Sequence, residues 1–299
     1  MQQDALIAQQ EDEGARTAAS LASPAYPLDP DALHLEADEA ARCGKAFAQD
    51  YQSAEPFHHI AIDNFLPEEV VLKVREEALA MGEKTAQNSS LQEHRKTSYS
   101  PDILPHYSRL VFTALNSQSF IKFLEKMTGI DGLIPDPYFQ GGGIHRTNNR
   151  GYLGIHADFN RHKEMNLERR LNVLIYLNPG WQPEFGGNFE VWTPDMKSQV
   201  ASFTPVMNRM ACFSTSSTSM HGNPEPVKHP DGMPRLSMAL YYYTATWSPS
   251  HVEHTTLFRP RPGSEDVASA HNHRRQWVRR YTPPAAIGLV ERVMDKLKL

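Results

Sequence analysis

Cysteine is nearly missing from this 299-residue chain, which has only Cys43 and Cys212. Two thiols form one bridge at most, so a disulfide framework or a cysteine-rich zinc site is not expected, and a reducing, cytoplasmic setting is. Long apolar runs are lacking too, and with them any helix of membrane-spanning length. Basic residues are not in excess: 30 Lys and Arg face 35 Asp and Glu, for a net charge of -5. Such a chain has no global positive field to gather nucleic acid or anionic lipid, and a small or neutral substrate suits it better. The first thirty residues have neither the basic start nor the apolar stretch of a secretory signal. No internal repeat occurs.

What is present reads as one large domain with extensions. Residues 1–55 form an N-terminal extension rich in Ala, Glu, Asp and Gln, with Pro24, Pro27 and Pro30 ahead of a helix near Asp31 to Asp50. The compact domain is expected over residues 56–250. It opens with a strand at His58 to Asp63, a helix starting at Pro67 and running to Met81, and a second helix from Ser117 to Thr128 that closes at Gly129. From Tyr138 to Trp247 the text becomes a series of short apolar or alternating runs broken by Gly, Pro and Asn, the mark of antiparallel sheet. Strands are predicted at Phe139 to His145, Tyr152 to Asp158, Arg170 to Leu177, Asn188 to Trp192, Arg209 to Ser214 and Arg235 to Trp247. Many strands preceded by helices give a mainly β, double-sheet barrel with helical buttresses. Residues 251–299 are a C-terminal extension expected to pack on this core, with a last helix from Ala285 to Lys298 and an exposed charged stretch at His273 to Arg280.

The chemistry centres on His156-Ala157-Asp158. On a strand, residues two apart leave the same face, so this imidazole and carboxylate can grip one metal ion. Fourteen His and fifteen Asp make about 0.7 such spacings expected by chance, so the pair alone is weak evidence. A second match, His229-Pro230-Asp231-Gly232, runs into a turn in which side chains do not share a strand face. His162-Lys163-Glu164 lies in a charged stretch without strand character. His221 and Arg235 lie downstream of the first pair. Two histidines and one carboxylate form a facial triad that leaves three adjacent positions open, as non-haem iron requires.

The order His-x-Asp, distal His221, then Arg235-Leu236-Ser237 resembles the Fe(II)/2-oxoglutarate-dependent dioxygenase superfamily, in its prolyl 4-hydroxylase-like branch. The matching segments are His58 to Leu66, Gly151 to Asp158, Arg170 to Asn178, Gly186 to Glu190 and Met220 to Pro224. The resemblance implies a double-stranded β-helix, of jelly-roll or cupin type. It also implies that His156, Asp158 and His221 bind Fe(II) and that Arg235 anchors the distal carboxylate of 2-oxoglutarate, a task that suits the two-pronged guanidinium. Ser237 and Tyr176 would touch the same group. Alternation sets Asn172 beside Tyr176 on one strand face, among the cosubstrate contacts. His145 stands where relatives carry a tyrosine near the iron-bound carboxylate. The implied reaction consumes O2 and 2-oxoglutarate, with ascorbate as reductant, and hydroxylates an unactivated C-H bond of a prolyl residue, an amino acid or another small metabolite. The intact carboxylate at Asp158 favours hydroxylation over halogenation.

Two competing readings share this fold. A nucleic-acid demethylase needs a basic groove, which the net charge opposes. A silent metal-binding barrel, or a cupin-like Zn or Ni site, has no use for Arg235.

Overall fold

The computed structural model describes residues 23–82, 93–264 and 266. Helices α1 (Ala37–Ala46) and α2 (Ala48–Gln52) lead into β1 (His59–Ile62), followed by α3 (Glu68–Ala80), β2 (Glu93–Tyr99), α4 (His106–Ala114) and α5 (Gln118–Thr128). Short strand β3 (Ile134–Pro135) precedes the long β4 (Gly143–Ala157), β5 (Arg161–His162) and β6 (Leu167–Tyr176). The remaining strands are β7 (Phe189–Trp192), β8 (Gln199–Phe203), β9 (Met210–Ser214), β10 (Met220–Asn223), β11 (Arg235–Thr244) and β12 (Leu257–Phe258). No helix among the described residues is long and apolar enough to cross a membrane.

The helices exist to bury one stripe each. In α5, Phe120, Phe123, Leu124 and Met127 recur at helical spacing and are fully buried. Gly129 ends that helix in the left-handed region, at φ 74°, which a side chain with a Cβ resists. Tyr26 meets Phe120 edge-on at 5.1 Å and Phe123 at 5.4 Å, while Phe65 packs on the same two rings. Burying each ring contributes roughly 1.5–3 kcal/mol, so this cluster fixes the helical layer to the sheet. Asn208 adds a polar tie: its side-chain amide donates to the Leu66 carbonyl at 2.7 Å and accepts from the Leu66 N–H at 2.9 Å.

The strands form an antiparallel double-stranded β-helix, in the order β1-β9-β6-β11-β4-β10-β7-β8, with β2 and β12 also on β4. Alternation sorts the faces. Leu171, Val173 and Ile175 of β6, with Leu236, Met238 and Leu240 of β11, join the core beneath the helices. Asn172 and Leu174, with Arg235, Ser237 and Tyr241, line the barrel interior instead. Strand β4 pairs along both edges: with β11 over residues 143–147 and β10 over 153–156 on one, and with β2 over 144–153 and β12 over 156–157 on the other.

The strands predicted at Phe139 to His145 and Tyr152 to Asp158 fall at the two ends of this one strand, which begins only at Gly143, residues 139–142 forming a turn with Phe139 at φ 49°. Asn148, Asn149, Arg150 and Gly151 read as a break, but here the chain bends without leaving the sheet, with Arg150 at φ 66°. Strands β2 and β8 lack the alternating apolar signal, Glu93–Tyr99 being mostly polar, and are held by backbone pairing to β4 and β7. The helix expected at Ala285 to Lys298 and the arginine-rich stretch at His273 to Arg280 lie outside the described residues.

Candidate active site

His156 on β4 and His221 on β10 are direct cross-strand partners, with ring centroids 4.5 Å apart. Asp158 follows β4 by one residue. Its Oδ1 lies 3.5 Å from His156 Nε2 and its Oδ2 3.6 Å from His221 Nε2. The three groups form the one cluster among the described residues whose donor atoms all fall close enough, within 4.8 Å, to hold a metal ion. Local hydrogen bonds set the tautomers. His156 Nδ1 is 2.8 Å from the Gly154 carbonyl and His221 Nδ1 is 2.9 Å from that of Ser219. A carbonyl only accepts, so both Nδ1 atoms carry the proton and both Nε2 lone pairs point at the shared space, as metal ligation requires. Burial, and then the neighbouring His156, pushes the His221 pKa down to about 3, which keeps this ring neutral. Aromatic rings fix the imidazole planes: Phe213 and Phe189 lie 4.3 and 5.8 Å from His221, and Phe258 of β12 lies 5.2 Å from His156.

Burial alone would raise the Asp158 pKa, but Arg169, His221 and His156 outweigh it and hold the carboxyl well below its usual range. Arg169, fully buried on β6, sets its Nη2 2.9 Å from Asp158 Oδ2. That nitrogen is misaligned for a hydrogen bond, so the contact is ionic. The guanidinium is clamped between Tyr241 and Phe159, 3.7 and 4.4 Å from the ring centroids. Asn172 donates its amide to the same Oδ2 at 3.2 Å.

The triad opens into a cavity of about 280 Å³. On another of its walls stands Arg235, 4% exposed, whose Nε donates to the Gly187 carbonyl at 2.7 Å and whose guanidinium lies 4.9 Å from the Tyr176 ring centroid. Its place depends on Gly187: at φ 68°, a Cβ there would sit 2.8 Å from Arg235 Cδ. Among the described residues, no carboxylate pairs with this buried cation. Beside it the Ser237 and Tyr176 hydroxyls are buried without a hydrogen-bond partner. Orphaned hydroxyls around an uncompensated guanidinium fit an anionic ligand group, because each is costly to bury unsatisfied.

The structure thus gathers His145, His156, Asp158, Asn172, His221, Arg235 and Ser237 around one cavity. Tyr176 does not line it but lies beside Arg235. Asn172 touches Asp158, and His145 places Nε2 2.8 Å from the Gly141 carbonyl. His229 and Asp231 stand apart: His229 packs against Trp181 and Phe185 and accepts from the Asp231 N–H. His162 is buried elsewhere, 3.4 Å from Asp136. Sequence reasoning missed Arg169, Glu93, Lys96, Tyr241 and Phe258. Tyr241 stood in a run of three tyrosines that could line a pocket or pack the core, while Arg169 was hidden in the charged run Glu168-Arg169-Arg170.

Residues 142–243 match the family model described as the 2OG-Fe(II) oxygenase superfamily. The chain is 26% identical over 255 residues to a prolyl 3-hydroxylase of Mus musculus, an alignment covering 82% of this chain and 43% of the mouse protein. It therefore spans less than half the length of that relative. Among solved structures, it is similar to a prolyl hydroxylase from Trichoplax adhaerens, solved in complex with a peptide fragment of the hypoxia inducible factor oxygen degradation domain. That likeness has a TM-score of 0.50 at 16% identity, covers 69% of this chain and 91% of the other, and speaks for the fold.

Proposed function

We propose, from the match of residues 142–243 to the family model of the 2OG-Fe(II) oxygenase superfamily, that this chain is a 2-oxoglutarate-dependent hydroxylase acting on a prolyl C-H bond. His156, Asp158 and His221 hold Fe(II), and Arg235 with Ser237 binds the distal carboxylate of 2-oxoglutarate. When bound there, Fe(II) with 2-oxoglutarate and O2 would supply the oxidising power for C-H hydroxylation, with succinate and CO2 as by-products. The observation that carries the reading is the buried Arg235, without a carboxylate partner among the described residues, sharing one cavity with the His-Asp-His cluster. A plain zinc or nickel barrel has no need of such a cation.

Each residue has a defined task. The two imidazoles offer fixed lone pairs, and Asp158 offers the one negative charge. Arg235 orients the cosubstrate through paired hydrogen bonds, and Tyr176 supports its guanidinium from beside. Leu174, Phe189 and Phe258 on the cavity wall keep water from the reacting carbon. The prolyl assignment is supported by the name of the mouse relative.

The test is anaerobic titration of metal-free protein with Fe(II) and 2-oxoglutarate, following the visible charge-transfer band of the chelated keto acid. Wild type should develop the band, and Arg235→Met should need at least about tenfold more cosubstrate, as befits losing a charge-assisted pair. Bound metal without any band would refute the oxygenase reading. Succinate release with proline-containing peptides, against the same peptides with alanine, then tests the substrate.

A further inference from the structure

Three strands lie in register along one wall of the cavity. Lys96 of β2 and Arg235 of β11 both pair with Thr147 of β4, one on each side. Two residues along, Ser98 and Ser237 flank His145 in the same way. Alternation points Lys96 with Ser98, and Arg235 with Ser237, to a common face, and all four line the cavity with His145. A cation and a hydroxyl therefore stand on either side of β4. With neighbouring strands about 4.8 Å apart, the two rows are separated by roughly 10 Å at the backbone, and side chains reaching inward leave room for a five-carbon dicarboxylate between them.

Lys96 reaches this face through a local irregularity. Arg95 has a left-handed φ of 50°, and the β2–β4 register shifts between His94 and Lys96. In a regular strand, residues three apart face opposite ways. Here the bulge turns Glu93 and Lys96 to the same side, where they pair at 3.2 Å, only 24% and 15% exposed. His145 cannot donate to an anion at this place. Its Nε2–H is committed to the Gly141 carbonyl, so Nδ1 presents a lone pair. Burial, and then Lys96 itself, keeps this ring from taking up a second proton. The ammonium of Lys96 and the hydroxyl of Ser98 are the donors beside it.

We propose that Lys96, assisted by Ser98, makes the second charged contact to bound 2-oxoglutarate, at its keto-acid end, opposite the Arg235 contact to the far carboxylate. This rests on the cosubstrate reading above. Glu93 holds the ammonium in place and competes with the ligand for it.

Calorimetric titration of the Mn(II)-loaded full chain with two ligands tests the assignment: 2-oxoglutarate, and 2-oxopentanoate, which keeps the keto-acid end but lacks the far carboxylate. Lys96→Met should weaken both about tenfold or more, because a charge-assisted hydrogen bond is lost. Arg235→Met should weaken only 2-oxoglutarate. Lys96→Arg should retain affinity within a few fold, and Glu93→Gln should tighten both acids, an opposite sign that misfolding does not produce. Unchanged affinity of Lys96→Met for both acids overturns the inference while leaving the cosubstrate reading intact. Weakening of 2-oxoglutarate alone moves Lys96 to the far carboxylate and overturns the end assignment. Failure of the wild-type chain to bind 2-oxoglutarate removes both.

Discussion

At the scale of single residues, the site is a balance of buried charges. Asp158 is 9% exposed and its counter-charge, Arg169, 1%. Two ions taken this far from water are retained only while each compensates the other, and removal of one partner costs about 3–5 kcal/mol. Arg169→Met keeps the bulk of the side chain and leaves the carboxylate alone, unless a divalent ion takes over its compensation. The variant should lose several degrees of thermal stability relative to wild type when stripped of metal, and recover most of it with saturating Mn(II). Equal losses with and without metal would mean that Arg169 acts through its packing between Phe159 and Tyr241. The histidines follow a related logic. Carbonyls at Gly154 and Ser219 take the Nδ1 protons, so the lone pairs are aimed before any ion arrives.

At the scale of elements, backbone irregularities place the polar groups. A regular β2 would turn either Glu93 or Lys96 away from the cavity, and the bulge at Arg95 keeps both inside. The Gly186-Gly187 turn lets β11 approach closely enough for Arg235 to reach the Gly187 carbonyl. Gly187→Ala puts a methyl group where Arg235 Cδ passes and forces an L-residue into the left-handed region, at a cost of about 1–2 kcal/mol. The expected result is weaker 2-oxoglutarate binding by about tenfold, with the affinity for Mn(II) alone within twofold of wild type. A parallel loss of metal affinity would place the turn in support of the triad as well. The same titration reads both constants.

At the scale of the molecule, β4 is the strand with the most partners, pairing with β2, β10, β11 and β12, and the candidate ligands lie at its C-terminal end and on its neighbour β10. A metal ion held by His156, Asp158 and His221 would add a cross-link between β4 and its neighbour β10, in the middle of the sheet. An ion that binds the folded chain alone stabilises it by about 2.7 kcal/mol at a hundredfold excess over its dissociation constant. Chelation should therefore lower the unfolding midpoint of the whole chain as one transition, with tryptophan fluorescence and far-ultraviolet circular dichroism falling together. Separate transitions would show that part of the sheet unfolds independently of the strands around the metal.

How much of this was legible beforehand divides along physical lines. Alternation in β6, β9 and β11, the helical stripe ending at Gly129, and the spacing His156-Ala157-Asp158 are local signals, and local signals survive in a one-dimensional text. They carried the fold class, and the residues proposed as ligands came together as their order suggested. The register of β2 against β4 was not legible, because a polar strand is held by backbone hydrogen bonds that any sequence can make. Nor could Arg169 be assigned to Asp158, or Lys96 set opposite Arg235, since those relations join strands distant in the chain and depend on a bulge whose side-chain consequence appears only once the sheet is closed. The sequence by itself determined which chemistry the cavity can hold, through residue type and period. Only the tertiary structure decided which charges face one another, because burial and register are properties of the packed sheet.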